Sequence, residues 1–402
     1  MRILVIGTHR SCHHRLKDQD HELVLFMPRH KAIADDVSGP YECVLTLDLN
    51  SPAQLWIDLA SAFHRDEPFD AVVAYNDNVQ LIAHAIGSAL GITCTVEPDV
   101  VRLTANKAAM RQALERHGLP SCRHEFAQGR EQVVAAIYKI GFPCIIKPVD
   151  GEASLGVSKI QRAEDIDGAL QWVGQKFIQR GIIVEEFLVG EELSVEAISV
   201  RGKHYIVAIT KKYKNEQTFI EIGHVIPAPL THNVCDEIRE YVCAVLDAFG
   251  FQDCPSHTEL MLTCNGPRII ETHTRMAGDR IVDLVYHATG ADMSNLVALQ
   301  SLGTDVTGLL PAQSSSDLSA AVWYASPEAP ASARLVKVLG ADEVMQRTHI
   351  KALELLRQPG SAGTTVRHSF DRSALSIAVG RDANEAVLRA QHAINSLEFV
   401  YA

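Results

Sequence analysis

Three short apolar runs, RILVIG (2–7), HELVLFM (21–27) and FDAVVAYND (69–77), open the chain, with helix-like stretches such as PAQLWIDLASAF (52–63) between them. Few folds accept this alternation. A strand buried on both faces reads as a continuous apolar run, and the helix between two such strands returns the chain so that they pair in parallel. The expectation is an α/β lobe over about residues 1–100. Asn76, Asp77 and Asn78 follow the third strand and precede VQLIAHAIGSALG (79–91), a helix closed by Gly91, so they read as its N-cap region. Loops at the ends of such strands are where a parallel sheet meets a ligand. His9, His13 and His14, beside the first strand, read as a solvated loop.

A chain of 402 residues is too long for one core and divides into two to three lobes at about 150 residues each. VRLTANKAAMRQALERHGLP (101–120) reads as one helix capped by Thr104 and closed by Gly118 and Pro120. Strands follow at GFPCIIKPV (141–149), GVSKI (156–160) and GIIVEEFL (181–188), with the helix EDIDGALQWVGQKFIQ (164–179) between the last two. LSVEAISV (193–200), KHYIVAITKK (203–212), TELMLTC (258–264) and RIIETHTR (268–275) have an antiparallel character, the last two joined by the turn Asn265-Gly266-Pro267. Beyond 300, a polar linker, QSSSD (313–317), leads to strands AAVWYA (320–325) and ALSIAVG (374–380) and a terminal helix, ANEAVLRAQHAINSL (383–397). The expected units are 1–100, 101–305 with a mobile segment near 120–190, and a C-terminal α+β unit over 306–402.

Composition narrows the function. A net charge of −12, without a basic block interleaved with aromatics, argues against nucleic acid. No uncharged apolar run approaches the roughly 18 residues of a membrane span, and the first apolar run is too short for a signal peptide, so a cytoplasmic location is expected. Nine cysteines, an odd number with no CxxC pair, read as reduced thiols; Cys254 and His257 lack the second pair a structural zinc site needs.

Three constellations carry chemistry. In IIKPVDGEASLGVSKI (145–160) a lysine ending a buried strand precedes a loop with Gly151, Ser154 and Gly156, whose backbone N–H groups can approach phosphate oxygens. It is no P-loop, since a strand follows, and a plain hairpin with a buried-stem lysine reads as well. In IIVEEFLVGEELSVE (182–196), Glu185 and Glu186 interrupt an apolar strand, which demands donors such as an adenine amino group; edge-strand acids in surface ion pairs are the alternative. Glu259 and Glu271 flank the turn at 265–267, so an antiparallel hairpin brings them together. Two carboxylates at close range need a cation between them, and Mg²⁺ shared with phosphate oxygens answers that need.

Taken together, Lys107, Lys147-Pro148, GEASLGV, EEFLVGEE, Glu259 and Glu271 resemble the ATP-grasp superfamily over about residues 1–300. The resemblance implies an α/β and α+β protein with a Rossmann-like N-terminal lobe and ATP held between two lobes. It implies Lys107 and Lys147 on the α/β phosphates, and a 151–158 loop with Gly151, Ser154, Gly156 and Val157 over the γ-phosphate. It further implies Glu185, Glu186, Phe187 and Leu188 as adenine hinge, Glu192 on the ribose, Met261 under the base, and Glu259 and Glu271 on two Mg²⁺ ions, with Mn²⁺ as an alternative. FIEIGHVIPAPL (219–230), ETHTRMAGDRI (271–281) and the C-terminal extension are similar to the L-amino acid ligases that make dipeptides. That likeness implies amino acid substrates, a homodimer, and Glu221, His224, Arg275, Gly278 and Asp279 beside the substrate, with Lys212, His224, Arg275 and the Gly278 N–H in catalysis. His273 stands where many members have Asn, which puts its role as a third metal ligand in question because imidazole is a poorer Mg²⁺ ligand than oxygen. The expected activity is ATP-dependent carboxylate–amine ligation through an acyl phosphate; activation of bicarbonate, as in ATP-grasp carboxylases, is the alternative.

Overall fold

A computed structural model describes every residue except 152–155, 216–217, 312–317 and 367. Ser154 and the QSSSD linker therefore lie outside the described residues.

Strands β1 (Arg2–Ile6), β2 (Glu22–Pro28), β3 (Tyr41–Leu47) and β4 (Ala71–Ala74) form an all-parallel sheet in the order β3-β2-β1-β4. Side chains alternate across a strand. Leu4 and Ile6 thus face a core with Phe26, Trp56 and Ile86, while Ile3 and Val5 face a second core with Leu284, Val285 and Leu296 from later in the chain. The sheet is covered on both sides, as its continuous apolar strands require. β3 is a further strand beyond the three opening runs, and YECVLTL is only partly buried.

The stretch 101–120 is two helices, Pro98–Thr104 and Lys107–Arg116. The second is capped by Asn106, whose side chain accepts from the N–H of Ala108 and Ala109 at 3.0 and 3.1 Å. Thr104 is no N-cap: it ends the preceding helix and its hydroxyl donates back to Val100. The expected helix 164–179 likewise breaks at Gly174 (φ 84°) into Ile166–Val173 and Gln175–Arg180. Around these helices, β5 (His124–Ala127), β6 (Cys144–Pro148), β7 (Ser158–Ile160) and β8 (Ile182–Glu186) make an antiparallel sheet in the order β5-β8-β6-β7 with its own core.

The remaining strands are β9 (Gly190–Val200), β10 (Lys203–Lys214), β11 (Glu221–Ile226), β12 (Pro255–Thr263), β13 (Gly266–His273), β14 (Ser319–Ala325), β15 (Leu335–Leu339), β16 (Ile350–Leu355), β17 (Ala374–Gly380) and β18 (Glu398–Tyr401). Eight of them form one antiparallel sheet, β13-β12-β9-β10-β11-β14-β17-β16, and β15 pairs with β18. The sheet runs unbroken across the expected 305/306 boundary, because β14 pairs with β11. Gly223 permits this junction: a Cβ there would lie 2.2 Å from the Trp323 ring. Among the described residues, no helix is long and apolar enough to cross a membrane.

Candidate active site

Two cavities lie side by side and share Lys214, Glu259 and Glu271. The first sits between the β5–β8 sheet and the β12–β13 hairpin. Lys107, Lys147, Gly151, Val157, Glu185, Glu186, Phe187, Leu188, Glu192 and Met261 all line it, together with Ile145, Ile270, Lys214 and Phe219, which sequence reasoning missed. Gly156 is nearby but outside the lining, with φ at 75° and Pro148 packed 3.0 Å from where a Cβ would sit.

Cations reach this cavity from one helix and from strands β6 and β10. Lys107 and Arg111 are four residues apart and therefore share a helix face. Lys107 reaches Glu271 at 2.7 Å and the Gly151 carbonyl at 2.9 Å. Arg111, fully enclosed, pairs with Glu185 at 2.8 Å and donates to the Ile270 carbonyl. Lys147 closes on the other Glu185 oxygen at 2.7 Å. Burial opposes the charged form of Glu185, but Arg111 and Lys147 more than offset it and hold the carboxyl at about 2. Glu185 is thus an ion-pair anchor for Arg111 and Lys147 in the wall of this cavity. Glu186 accepts from Arg123, and the N–H groups of Glu186 and Phe187 donate to the carbonyls of Arg123 and Pro143. Two of the three N–H groups in the expected hinge 186–188 are already used. Glu192 is met by Lys214 and, at 3.4 Å, by Lys212. Met261, Ile145 and Ile270 supply apolar surface between these charges.

Glu259 and Glu271 face each other in register on the β12–β13 hairpin, as the turn at 265–267 required. Lys212 stands 2.6 Å from Glu259, and His257 and His273 each approach one of the pair at 3.2 Å. Burial works against both acids, yet Lys212 at one and Lys107 at the other draw each well below the carboxylate range. Two carboxylates paired across adjacent strands fit a hard divalent cation that shares phosphate oxygens. His273 fits such a role poorly, because Nδ1 lies 3.1 Å from Asp77 and Nε2 3.2 Å from Glu271, so both ring nitrogens face carboxylates.

The second cavity gathers Lys212, Glu221, His224, Arg275, Gly278 and Asp279, all singled out from sequence. Lys212 is buried and lies 2.6 Å from both Glu221 and Glu259, which outweigh its burial and raise its pKa further. Arg275 is held by Asp77 at 2.7 Å. Asp77 had been read as a cap only; burial disfavours its charge, and His273 and Arg275 nonetheless bring its carboxyl to about 2. Asp279 is not the cap of the helix Ile281–Thr289, which begins after Arg280. It takes a two-pronged contact from Arg372 at 2.5 and 2.8 Å and lies 3.6 Å from His224. Arg372 stacks on Tyr324 at 3.8 Å, and the Tyr324 hydroxyl donates to the Asp279 carbonyl. Glu221, His224 and Asp279 lie close enough together to chelate an ion. Lys212 meets Glu221 and Arg372 meets Asp279, so the trio can face either a cation or a ligand with its own N–H groups.

His9 is not solvated. It lines this cavity, and burial followed by the nearby Arg275 lowers its pKa to about 4. His13 is fully buried with Nδ1 2.7 Å from the Tyr41 hydroxyl. Arg372 and Phe370 could not be read from sequence, since they arrive from nearly 100 residues beyond Asp279 in chain order. Arg111 was within reach through its spacing from Lys107.

Comparison with known proteins agrees with this geometry. The pattern of the ATP-grasp domain matches residues 140–283, and that of the L-amino acid ligase C-terminal domain 2 matches residues 328–402. The chain thus carries an ATP-grasp domain followed by an L-amino acid ligase C-terminal domain 2. Alanine–anticapsin ligase of Bacillus subtilis (strain 168) is 28% identical over 215 residues, 48% of this chain and 45% of that protein. The chain thus spans about half the length of the curated relatives it matches. In fold, it resembles the L-amino acid ligase from Bacillus licheniformis with a TM-score of 0.84 and 20% identity, over 100% of this chain and 98% of that one. The biotin carboxylase domain of the Hydrogenobacter thermophilus 2-oxoglutarate carboxylase, solved with MgADP and bicarbonate, gives 0.73 at 15% identity, over 99% and 90%. Both solved structures share the overall fold of this chain.

Proposed function

We propose that this chain is an ATP-dependent carboxylate–amine ligase that joins two amino acids, or an acyl acid and an amino acid. The observation that carries the reading is the junction of the two cavities at Glu259 and Glu271, between lysine-lined nucleotide space and a charged pocket ending at Arg275, His224 and Asp279. Lys107 and Lys147 bind the α/β phosphates, with Met261 and the 185–188 segment around the base and Glu192 at the ribose. Mg²⁺ at Glu259 and Glu271, with Mn²⁺ as a substitute, supplies charge neutralisation for the phosphate oxygens.

The γ-phosphoryl group passes to a substrate carboxylate oriented by Lys212 and Arg275. The P–O bond to ADP breaks as the bond to the carboxylate forms. An amine then attacks the acyl carbon, the Gly278 N–H and Arg275 face the oxyanion, and phosphate leaves. Glu221, His224 and Asp279 hold the substrate ammonium or take the proton of the attacking amine. The β5–β8 lobe lies over the site and excludes water, which would hydrolyse an acyl phosphate. We further propose a cytoplasmic homodimer acting on small molecules.

Phosphate release from ATP and Mg²⁺, measured across the twenty amino acids singly and in pairs, tests the reading. Amino-acid-dependent release with a condensed product supports it. Release driven by bicarbonate alone would replace it with the carboxylase alternative, and full turnover in Glu271→Ala would remove the metal assignment.

A further inference from the structure

The two candidate metal carboxylates are backed by one arrangement used twice. His257 and His273 are cross-strand partners on β12 and β13, their rings stacked at 6.2 Å and 18°. His257 presents Nε2 to Glu259 at 3.2 Å and Nδ1 to the two oxygens of Glu196 at 2.9 and 3.1 Å. His273 presents Nε2 to Glu271 at 3.2 Å and Nδ1 to Asp77 at 3.1 Å. Each ring is thus held between two carboxylates, one at Nε2 and one at Nδ1, and is fixed at two points. Glu196 is 2% exposed and also accepts from the Ser194 hydroxyl at 2.9 Å.

An acid buried this deeply in a sheet costs more than an apolar residue of similar size would, unless its charge has a partner that matters. Here that partner is an imidazole whose other end grips a candidate metal ligand. Asp77 plays the same part from the N-terminal lobe, and the same Oδ2 also takes Arg275 at 2.7 Å. We infer that Glu196 and Asp77 are positioning residues which, through His257 and His273, orient Glu259 and Glu271 for a divalent cation. A free glutamate samples several rotamers, whereas a carboxylate held by an anchored imidazole presents its remaining lone pairs in one direction. The stacked rings keep the two carboxylates at the spacing of the strand pair. The inference rests on the nucleotide–metal reading of the first cavity.

Mn²⁺ binding to the full chain in the presence of ADP, followed by electron paramagnetic resonance, tests it without turnover. Glu196→Gln and Asp77→Asn keep side-chain size and remove the anchoring charge. Each is expected to weaken Mn²⁺ roughly tenfold or more. His257→Gln should weaken it similarly, and the Glu196→Gln/His257→Gln double variant should add little, since one chain of contacts is cut in both. A general packing defect would instead add. Should Glu196→Gln not fold, Asp77→Asn, at a partly exposed site, carries the test. Mn²⁺ affinity within about twofold of wild type in the folded variants overturns the inference, because anchored ligands of this kind matter about tenfold or more. A wild-type chain with no ADP-dependent Mn²⁺ binding refutes the metal reading itself, and the inference with it.

Discussion

Replacing Arg111 with methionine tests how the first cavity holds its charges. Arg111 has no exposed surface and lies 2.8 Å from Glu185, which Lys147 meets from the other side at 2.7 Å. Removing one partner of a buried pair costs about 3–5 kcal/mol, and the surviving Lys147 places this case near the lower end. The Glu185 carboxyl agrees in sign and order of magnitude: its fall from 4.5 to about 2 corresponds to about 3 kcal/mol at roughly 1.4 kcal/mol per pH unit, shared between Arg111 and Lys147 and net of burial. The sign follows from the depressed value: the stabilisation is full above pH 4.5 and is lost as pH falls toward 2. Arg111→Met should therefore lose about 3 kcal/mol at pH 7, with the gap to wild type narrowing in acid. For a cooperative unit of 150–250 residues this lowers the melting midpoint by about 6–12 °C. Calorimetry and urea unfolding at pH 7 and near pH 3 check both statements. A loss under about 1 kcal/mol at pH 7, or a gap that does not change with pH, would refute the ion-pair reasoning, since exposed pairs are worth no more than that.

Arg372→Met frees the Asp279 carboxylate, so steady-state kinetics should show the amino acid KM rising about tenfold with the ATP KM unchanged, as loss of one charged contact requires. Equal shifts in both constants would place Arg372 elsewhere in the mechanism. Gly223→Ala drives a methyl group to 2.2 Å from Trp323 and should cost about 1–3 kcal/mol in thermal unfolding, with β14 pushed from β11. In Glu259→Gln, phosphate release should fall about 100-fold or more, because a neutral amide holds a divalent cation poorly.

Much of the site was legible from residue order because local pattern and chemistry coincide there. The Asn265-Gly266 turn forces Glu259 opposite Glu271, and the apolar period of β1, β2 and β4 forces a sheet covered on both faces. Arg111 was missed although it lies one helical turn from Lys107, since a buried arginine inside a helical pattern looks like any surface cation until its partner is known. The partners of Glu185 were hidden for the same reason: a strand acid signals a need for a donor without naming it.

The sequence by itself determined the parallel strands β1, β2 and β4 and the two-carboxylate hairpin, both of which depend on short-range periodicity and turn chemistry. Only the tertiary structure decided which charges meet. Asp77 reaches His273 and Arg275 across nearly 200 residues, and Arg372 reaches Asp279 from the C-terminal strands. Such pairs leave no local trace, because an ion pair needs only proximity in space, and proximity over these separations is set by how the sheets pack.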